Sequence, residues 1–195
     1  MKQETRKDEI IKTAAKLFKK KGYSAVTMRD LAKAMGIKAA SLYNHINSKQ
    51  DILKDIIISL AEEFTAGMET VLNSDENAIE KIKKIISLHV GITSNNTFGM
   101  ASLNNDWMHL EEQLEYYLEL RRKYEENFKE IIKTGISEGN IINENPEIMA
   151  FSILSTLRSL YLWIPKKEEL NIQSLSESLS KFLITGIRHN SENIL

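Results

Sequence analysis

Cysteine is absent from the chain, which excludes disulfides, thiolate zinc sites and cysteine nucleophiles. Proline is scarce: Pro146 and Pro165 are the only two in 195 residues, so little interrupts a helix. No Gly-rich phosphate loop and no nucleophile elbow occurs, which argues against nucleotide and ester hydrolysis. No apolar run approaches roughly 18 residues, so no membrane span is expected. Charges through the first residues (Lys2, Glu4, Arg6, Lys7, Asp8, Glu9) speak against a secretory signal. A cytoplasmic location is the default expectation.

What is present is ordinary in amount and uneven in placement. Hydrophobic residues make up 42% and charged residues 27%, as in soluble proteins. The net charge of -1 hides a division. Residues 1 to 54 hold 13 Lys and Arg against 5 Asp and Glu; the remainder holds 13 against 22. A head of +8 on a body of -9 suggests that the head meets a polyanion. Taken alone, the asymmetry is also compatible with solvated helix faces.

Apolar residues recur at intervals of three and four, and the chain reads as helix nearly throughout. Ile10, Ile11, Ala14, Leu17 and Phe18 form the stripe of a first helix that ends near Gly22. Further helices are expected over 28–35, 39–46, 49–72, 77–94, 105–138, 146–163 and 172–188. The stretches 91–99, 137–146 and 164–171 read as breaks. The expected fold class is all-α: a three-helix N-terminal domain (1–50), a connecting helix (49–72) and a helical body (51–195).

The run "TMRDLAKAMGIKAASLYNH" carries the sharpest local signals. Thr27 has N-cap chemistry, with Asp30 where a capping-box acid sits. Leu31, Ala32 and Met35 share one face, and Gly36 is placed as a left-handed terminator. Ile37 plugs the corner, and a second short helix turns Leu42 and Ile46 inward. Two short helices around a tight glycine turn form the helix-turn-helix of DNA binders, the second helix lying in the major groove.

The stretches "AAKLFKKKGY", "TMRDLAKAMGI", "SLYNH" and "SKQDIL" together resemble the DNA-binding domain of the tetracycline-repressor (TetR) family of bacterial transcription regulators. The match covers roughly the first 60 residues. The rest is similar only in being helical. The resemblance implies that Thr27, Arg29, Tyr43, His45 and Lys49 meet phosphates, with free N–H groups opening the fourth helix beside Lys49. It leaves base reading to Lys38, Ala39, Ala40, Ser41 and Asn44, with Arg29 also within reach of a base. Two departures stand out: Ala39 replaces a position often polar or basic in the family, and Ile46 one often aromatic. The first leaves the operator unreadable from sequence; the second bears on packing.

One such unit reads few base pairs, so a dimer is expected, with recognition helices about 34 Å apart. The apolar segment 147–164, following Pro146, is the leading interface helix. Ser152, Ser155 and Ser159 would let a partner approach, and 175–187 adds Leu175, Leu179, Phe182 and Leu183. An effector pocket is expected in the body, with candidates Phe64, Met68, Phe98, Met100, Trp107, His109, Tyr117, Arg121 and Arg158, and His89 besides. Arg121 and Arg158 fall in apolar stripes and need an anion, either a ligand's or a carboxylate such as Glu125. The expected effector is small and largely apolar, with an anionic group left open.

Asp106 and His109, at i and i+3, could share a metal, but di-iron bundles use Glu-x-x-His twice. No metal, cofactor or catalytic residue is therefore assigned. The expected function is a homodimeric, ligand-responsive repressor acting on a palindromic double-stranded DNA operator, not an enzyme and not a membrane protein. An activator or constitutive binder remains an alternative, as does, in another class, a helical small-molecule or metal-binding protein.

Overall fold

The computed structural model describes residues 5–167 and 169–188; Lys2 and Glu4 lie outside them. The elements are α1 (Arg6–Lys21), α2 (Met28–Ala34), α3 (Ala39–Leu42), α4 (Lys49–Leu72), α5 (Ala78–Asn95), α6 (Thr97–Asn105), α7 (Leu114–Ser137), α8 (Pro146–Arg158), α9 (Leu160–Trp163) and α10 (Ile172–Thr185). Short 3-10 turns cover Trp107–His109, Glu111–Gln113 and Ile164–Lys166. The all-α expectation holds; one isolated antiparallel bridge, Ile141 to Arg188, is the sole β pairing among the described residues.

The chain forms two compact units. The first runs to Glu62 and takes in Asn96–Glu119. Its core includes Ile10, Ala14, Phe18, Leu31, Leu42, Ile52 and Leu53, all nearly inaccessible, and α1 packs along α6. The second holds Glu63–Asn95 and residues from Leu120 on. Met68, Ile82, Ile85, Ile86, Phe128, Ile132 and Leu157 fill it, and α10 packs on α5. Ser87 and Ser176 join those two helices by a 2.7 Å hydrogen bond. Gly67 marks a close approach of α4 and α5: a Cβ there would lie 2.5 Å from a Leu88 methyl.

Two expectations fail. The stretch 91–99 is not a loop. α5 runs to Asn95, and Asn96 then caps α6 by accepting the Gly99 N–H at 2.9 Å. Thr93 and Ser94 are polar in composition but helical in place. The long helix over 105–138 is likewise broken. Asp106 ends α6, two 3-10 turns follow, and Glu111 takes a left-handed φ of 46° before α7 starts. Lesser shifts occur at α3, which closes after one turn, and at Ser159, which parts α8 from α9.

The stretch Pro146–Lys166 has the length and hydropathy of a membrane span, contrary to expectation from run length. Its chain breaks at Ser159, and it carries Arg158 in an ion pair and Met149, Ile153, Leu154 and Leu157 in the core. Those features belong to a core helix.

Candidate nucleic-acid interface

The interface is built by caps and turns before any side chain reaches outward. At α2, the Thr27 hydroxyl accepts the Asp30 N–H at 3.1 Å, and the Asp30 carboxylate accepts the Thr27 N–H at 2.9 Å. This is the expected capping box. The Thr27 hydroxyl also donates to Asp30 at 2.6 Å, and these bonds hold the Asp30 carboxyl below its ordinary range. At the other end, Gly36 has φ 66°, its N–H meets the Lys33 carbonyl, and the Ile37 N–H meets the Ala32 carbonyl at 3.0 Å. That pair of bonds is a Schellman motif, and it sets the angle between α2 and α3.

α3 buries Leu42 alone; Ile46, in the turn that follows, is buried as well. Lys38, Ala40, Tyr43, Asn44 and His45 are exposed, Tyr43 to 54%; Ala39 and Ser41 are half-buried. Arg29 is exposed on α2. The side chains of Arg29, Lys38, Ser41, Tyr43, Asn44 and His45 make no hydrogen bond or ion pair within the described residues. Their donors and acceptors stay available to a partner. These are the groups the sequence assigned to base and phosphate.

Lys49 is placed differently from the expectation. Its ammonium donates to the Tyr23 carbonyl at 3.0 Å and to the Val26 carbonyl at 2.9 Å, and lies 4.2 Å from the Tyr23 ring centroid. Two of its three N–H groups thus pin the loop between α1 and α2 onto α4. Ser48 caps α4 by accepting the Asp51 N–H at 3.0 Å, which leaves the N–H groups of Lys49 and Gln50 pointing out of the helix start.

Sequence reasoning missed the residues behind this corner. Tyr23 packs edge-on against Phe18 and stacks on His109 with centroids 5.2 Å apart. Its hydroxyl donates to Gln50 at 2.6 Å, and burial pushes its pKa up. His109, expected in the effector pocket, is therefore part of the head's support, as is Asp106. Burial pushes the Asp106 carboxyl up, opposed by hydrogen bonds that include the Tyr23 N–H. No group of three or more metal-ligating side chains occurs among the described residues. Phe98 lies 38% exposed beneath Lys16 and Lys19 of α1. Met100 is buried, and Trp107 packs against Tyr117 in a tilted arrangement with centroids 6.0 Å apart.

In the second unit, Phe64 packs on His89 (4.6 Å between centroids) and on Tyr124 (6.0 Å). His89 Nε2 and the Tyr124 hydroxyl are 3.0 Å apart. Burial lowers His89 to about 3 and raises Tyr124. The imidazole is thus neutral at physiological pH. Met68 is buried nearby in sequence. Arg121 and Arg158 converge on Glu125, at 3.2 and 2.6 Å. Burial pushes Glu125 up, but the two guanidiniums outweigh it and leave its pKa lowered. The anion that the two arginines required is this carboxylate.

α8 and α10 carry the expected dimer residues. Ser152, Ser155, Ser159 and Phe182 are exposed; Leu175, Leu179 and Leu183 are half-buried. The hydroxyls of Ser152 and Ser159 bond back to carbonyls of their own turn, at 2.9 and 2.8 Å. The same helices leave Ile148 (64%), Phe151 (72%) and Phe182 (74%) open. Within one chain α8 is covered on one side, with Met149, Ala150, Ile153, Leu154 and Leu157 buried.

Residues 10–56 match the family described as bacterial regulatory proteins, tetR family. Residues 75–187 match the family described as tetracyclin repressor-like, C-terminal domain. The HTH-type transcriptional repressor KstR2 of Rhodococcus jostii is 21% identical over 185 residues, 93% of this chain and 91% of that one. The biofilm operon regulator IcaR of Staphylococcus aureus is 47% identical over 51 residues, 26% of this chain and 27% of that one. The structure of KstR2 from Mycobacterium tuberculosis superposes with TM-score 0.89 at 20% identity, covering 95% of this chain and 96% of that one. PfmR from Thermus thermophilus superposes with TM-score 0.79 at 25% identity, covering 91% and 98%.

Proposed function

The chain belongs to the tetracycline-repressor family of DNA-binding transcription regulators, not to an enzyme family, and from that premise we propose a reading of its parts. Residues 1–50 are the DNA-binding domain, α4 the connector and 51–195 the effector and dimer domain. The observation that carries this reading is the unpaired, largely uncovered set on α2, on α3 and in the turns that flank α3: Arg29, Lys38, Ser41, Tyr43, Asn44 and His45. Asn44 is suited to adenine and Lys38 to guanine, while the Ala39 and Ala40 methyls can meet thymine. Arg29, Tyr43 and His45 take phosphates, joined by the two free N–H groups of α4. Lys49 acts chiefly as an anchor beneath them.

Family regulators bind DNA operators and act as dimers. Here the dimer forms through α8 and α10, around Phe151, Phe182 and the Ser152–Ser155–Ser159 edge. The protein works in the cytoplasm as a repressor that leaves its operator when a small, largely apolar effector binds the body. Phe64 and Met68, on the stretch of α4 beyond the head, remain candidates to sense it. Release requires that the effector bind the DNA-incompetent arrangement more tightly.

Selection of duplexes from random DNA, followed by a salt titration, tests the reading. A palindromic consensus is expected, with log K falling steeply in log salt as counterions return to phosphate. Enrichment of no sequence, or binding indifferent to salt, overturns it.

A further inference from the structure

We propose that Gln50 is a positioning residue for operator binding, tying the segment Asp106–His109 to the turn of α4 that docks on phosphate. The inference rests on the assignment of α4's first N–H groups to DNA. Gln50 is the second residue of α4, and both ends of its amide are used across long stretches of chain. Its Oε1 accepts from the Tyr23 hydroxyl at 2.6 Å, and its Nε2 donates to the His109 carbonyl at 2.5 Å. Its own backbone N–H is one of the two that the Ser48 cap leaves free. Side-chain anchor and phosphate donor therefore belong to a single residue. A shift of the His109 carbonyl acts on that donor with one side chain between them.

The surroundings make the link stiff. Tyr23 is clamped from three sides: Phe18 at its edge, the His109 ring on one face and the Lys49 ammonium on the ring. Lys49 also holds the Tyr23 carbonyl. Two consecutive residues of α4 thus grip one tyrosine, and the second also grips the turn after α6. That turn is short, 3-10 in geometry and followed by the left-handed Glu111, so its carbonyls are not locked into a long helix. Gln50 is the amide that reads the position of this turn.

The test uses full-length protein and a duplex selected from random DNA with the parent. Gln50→Leu removes both hydrogen bonds, and Tyr23→Phe removes one while keeping every ring contact, so it guards against misfolding. Each is expected to weaken operator binding about five- to tenfold, the scale of one part-buried hydrogen bond. The double variant is expected to bind no worse than the weaker single variant. Amide exchange at Trp107–Leu110 is expected to quicken in both, which loss of stability spread evenly over the chain does not produce. Operator affinity within twofold of the parent in Gln50→Leu overturns the proposal, as do losses that add in the double variant. Asn44→Ala separates the two levels. If it impairs binding while Gln50→Leu does not, the DNA assignment stands and the link falls. If neither variant matters, the docking assignment has failed and takes the link with it.

Discussion

α3 and α8 both present an uncovered face, and the two faces are opposite in kind. α3 buries only Leu42 and leaves out Lys38, Ala40, Tyr43, Asn44 and His45, small or polar side chains with unspent hydrogen-bonding groups. α8 buries Met149, Ala150, Ile153, Leu154 and Leu157, yet leaves out Ile148 and Phe151, while Phe182 of α10 is 74% exposed. A helix meant for a groove lined with phosphates and base edges has to be slim and polar. A helix meant for a second protein surface has to offer apolar area, because that is what association removes from water. The difference identifies partners of different chemistry on one chain.

The strongest way to break the comparison is to charge the apolar face. Phe151→Asp with Phe182→Asp removes two aromatic anchors, and a two-fold interface counts each twice. Each buried aromatic is worth about 2 kcal/mol or more at an interface centre. The dimer dissociation constant is expected to rise at least roughly a thousandfold. Sedimentation at micromolar concentration should show folded monomer that no longer holds the selected duplex. A dimer of parental strength would mean that the exposed phenylalanines serve some other contact.

The polar face should respond more gently and more selectively. Asn44→Ala is expected to cost about 1–3 kcal/mol at the operator and to relax preference at one base position. His45→Ala should instead weaken binding to every sequence alike. Competition titrations against point-mutated duplexes distinguish the two. Equal losses on all duplexes for Asn44→Ala would move that residue from base to backbone.

How much of this was legible in the sequence follows the range of the interactions. The capping box at Thr27 and Asp30, the left-handed Gly36 and the inward Leu42 and Ile46 are local, and the chain spells them out within a few residues. The break after α6 was not legible. It depends on Tyr23 and Gln50, far away in sequence, closing on Asp106 and His109, whereas the residues of the break themselves read as helix. Composition misled at 91–99, where "TSNN" suggested a loop, but Asn96 instead caps one helix directly after another. For Lys49 the structure shows a direction that the sequence does not: its ammonium turns to the Tyr23 and Val26 carbonyls. A lysine at a helix start suits phosphate, and nothing local reveals two carbonyls waiting beneath it.

Inside the second unit the contrast with the open faces sharpens again, now as a dependence on pH. His89 is buried against Phe64 and Tyr124, and burial lowers its pKa to about 3. Unfolded, it titrates near its ordinary 6.5. Between those values the unfolded chain binds a proton that the folded chain does not, so stability falls as pH drops below about 6.5. Urea unfolding should lose about 1.4 kcal/mol between pH 7.5 and 5.5 from this group, and His89→Phe should flatten that slope. A slope unchanged by the substitution would show that the imidazole is accessible in the folded state.

The smallest effect concerns Thr27, which the sequence assigned both to a cap and to phosphate. The structure makes those roles compete. Its hydroxyl hydrogen is donated to the Asp30 carboxylate at 2.6 Å, and its oxygen accepts the Asp30 N–H at 3.1 Å. A phosphate needs a donor, and this hydroxyl has none to give without opening the box. Thr27→Ala is therefore expected to cost about 1 kcal/mol of stability through the lost cap. Operator affinity should fall by less than about threefold, well short of what a lost charge-assisted contact costs. Thr27→Ser should restore the stability, since serine caps as well as threonine. If alanine instead cuts affinity tenfold at unchanged stability, the hydroxyl turns outward on DNA, Asp30 gives up its proton donor, and the slim polar face extends one residue further back than α3.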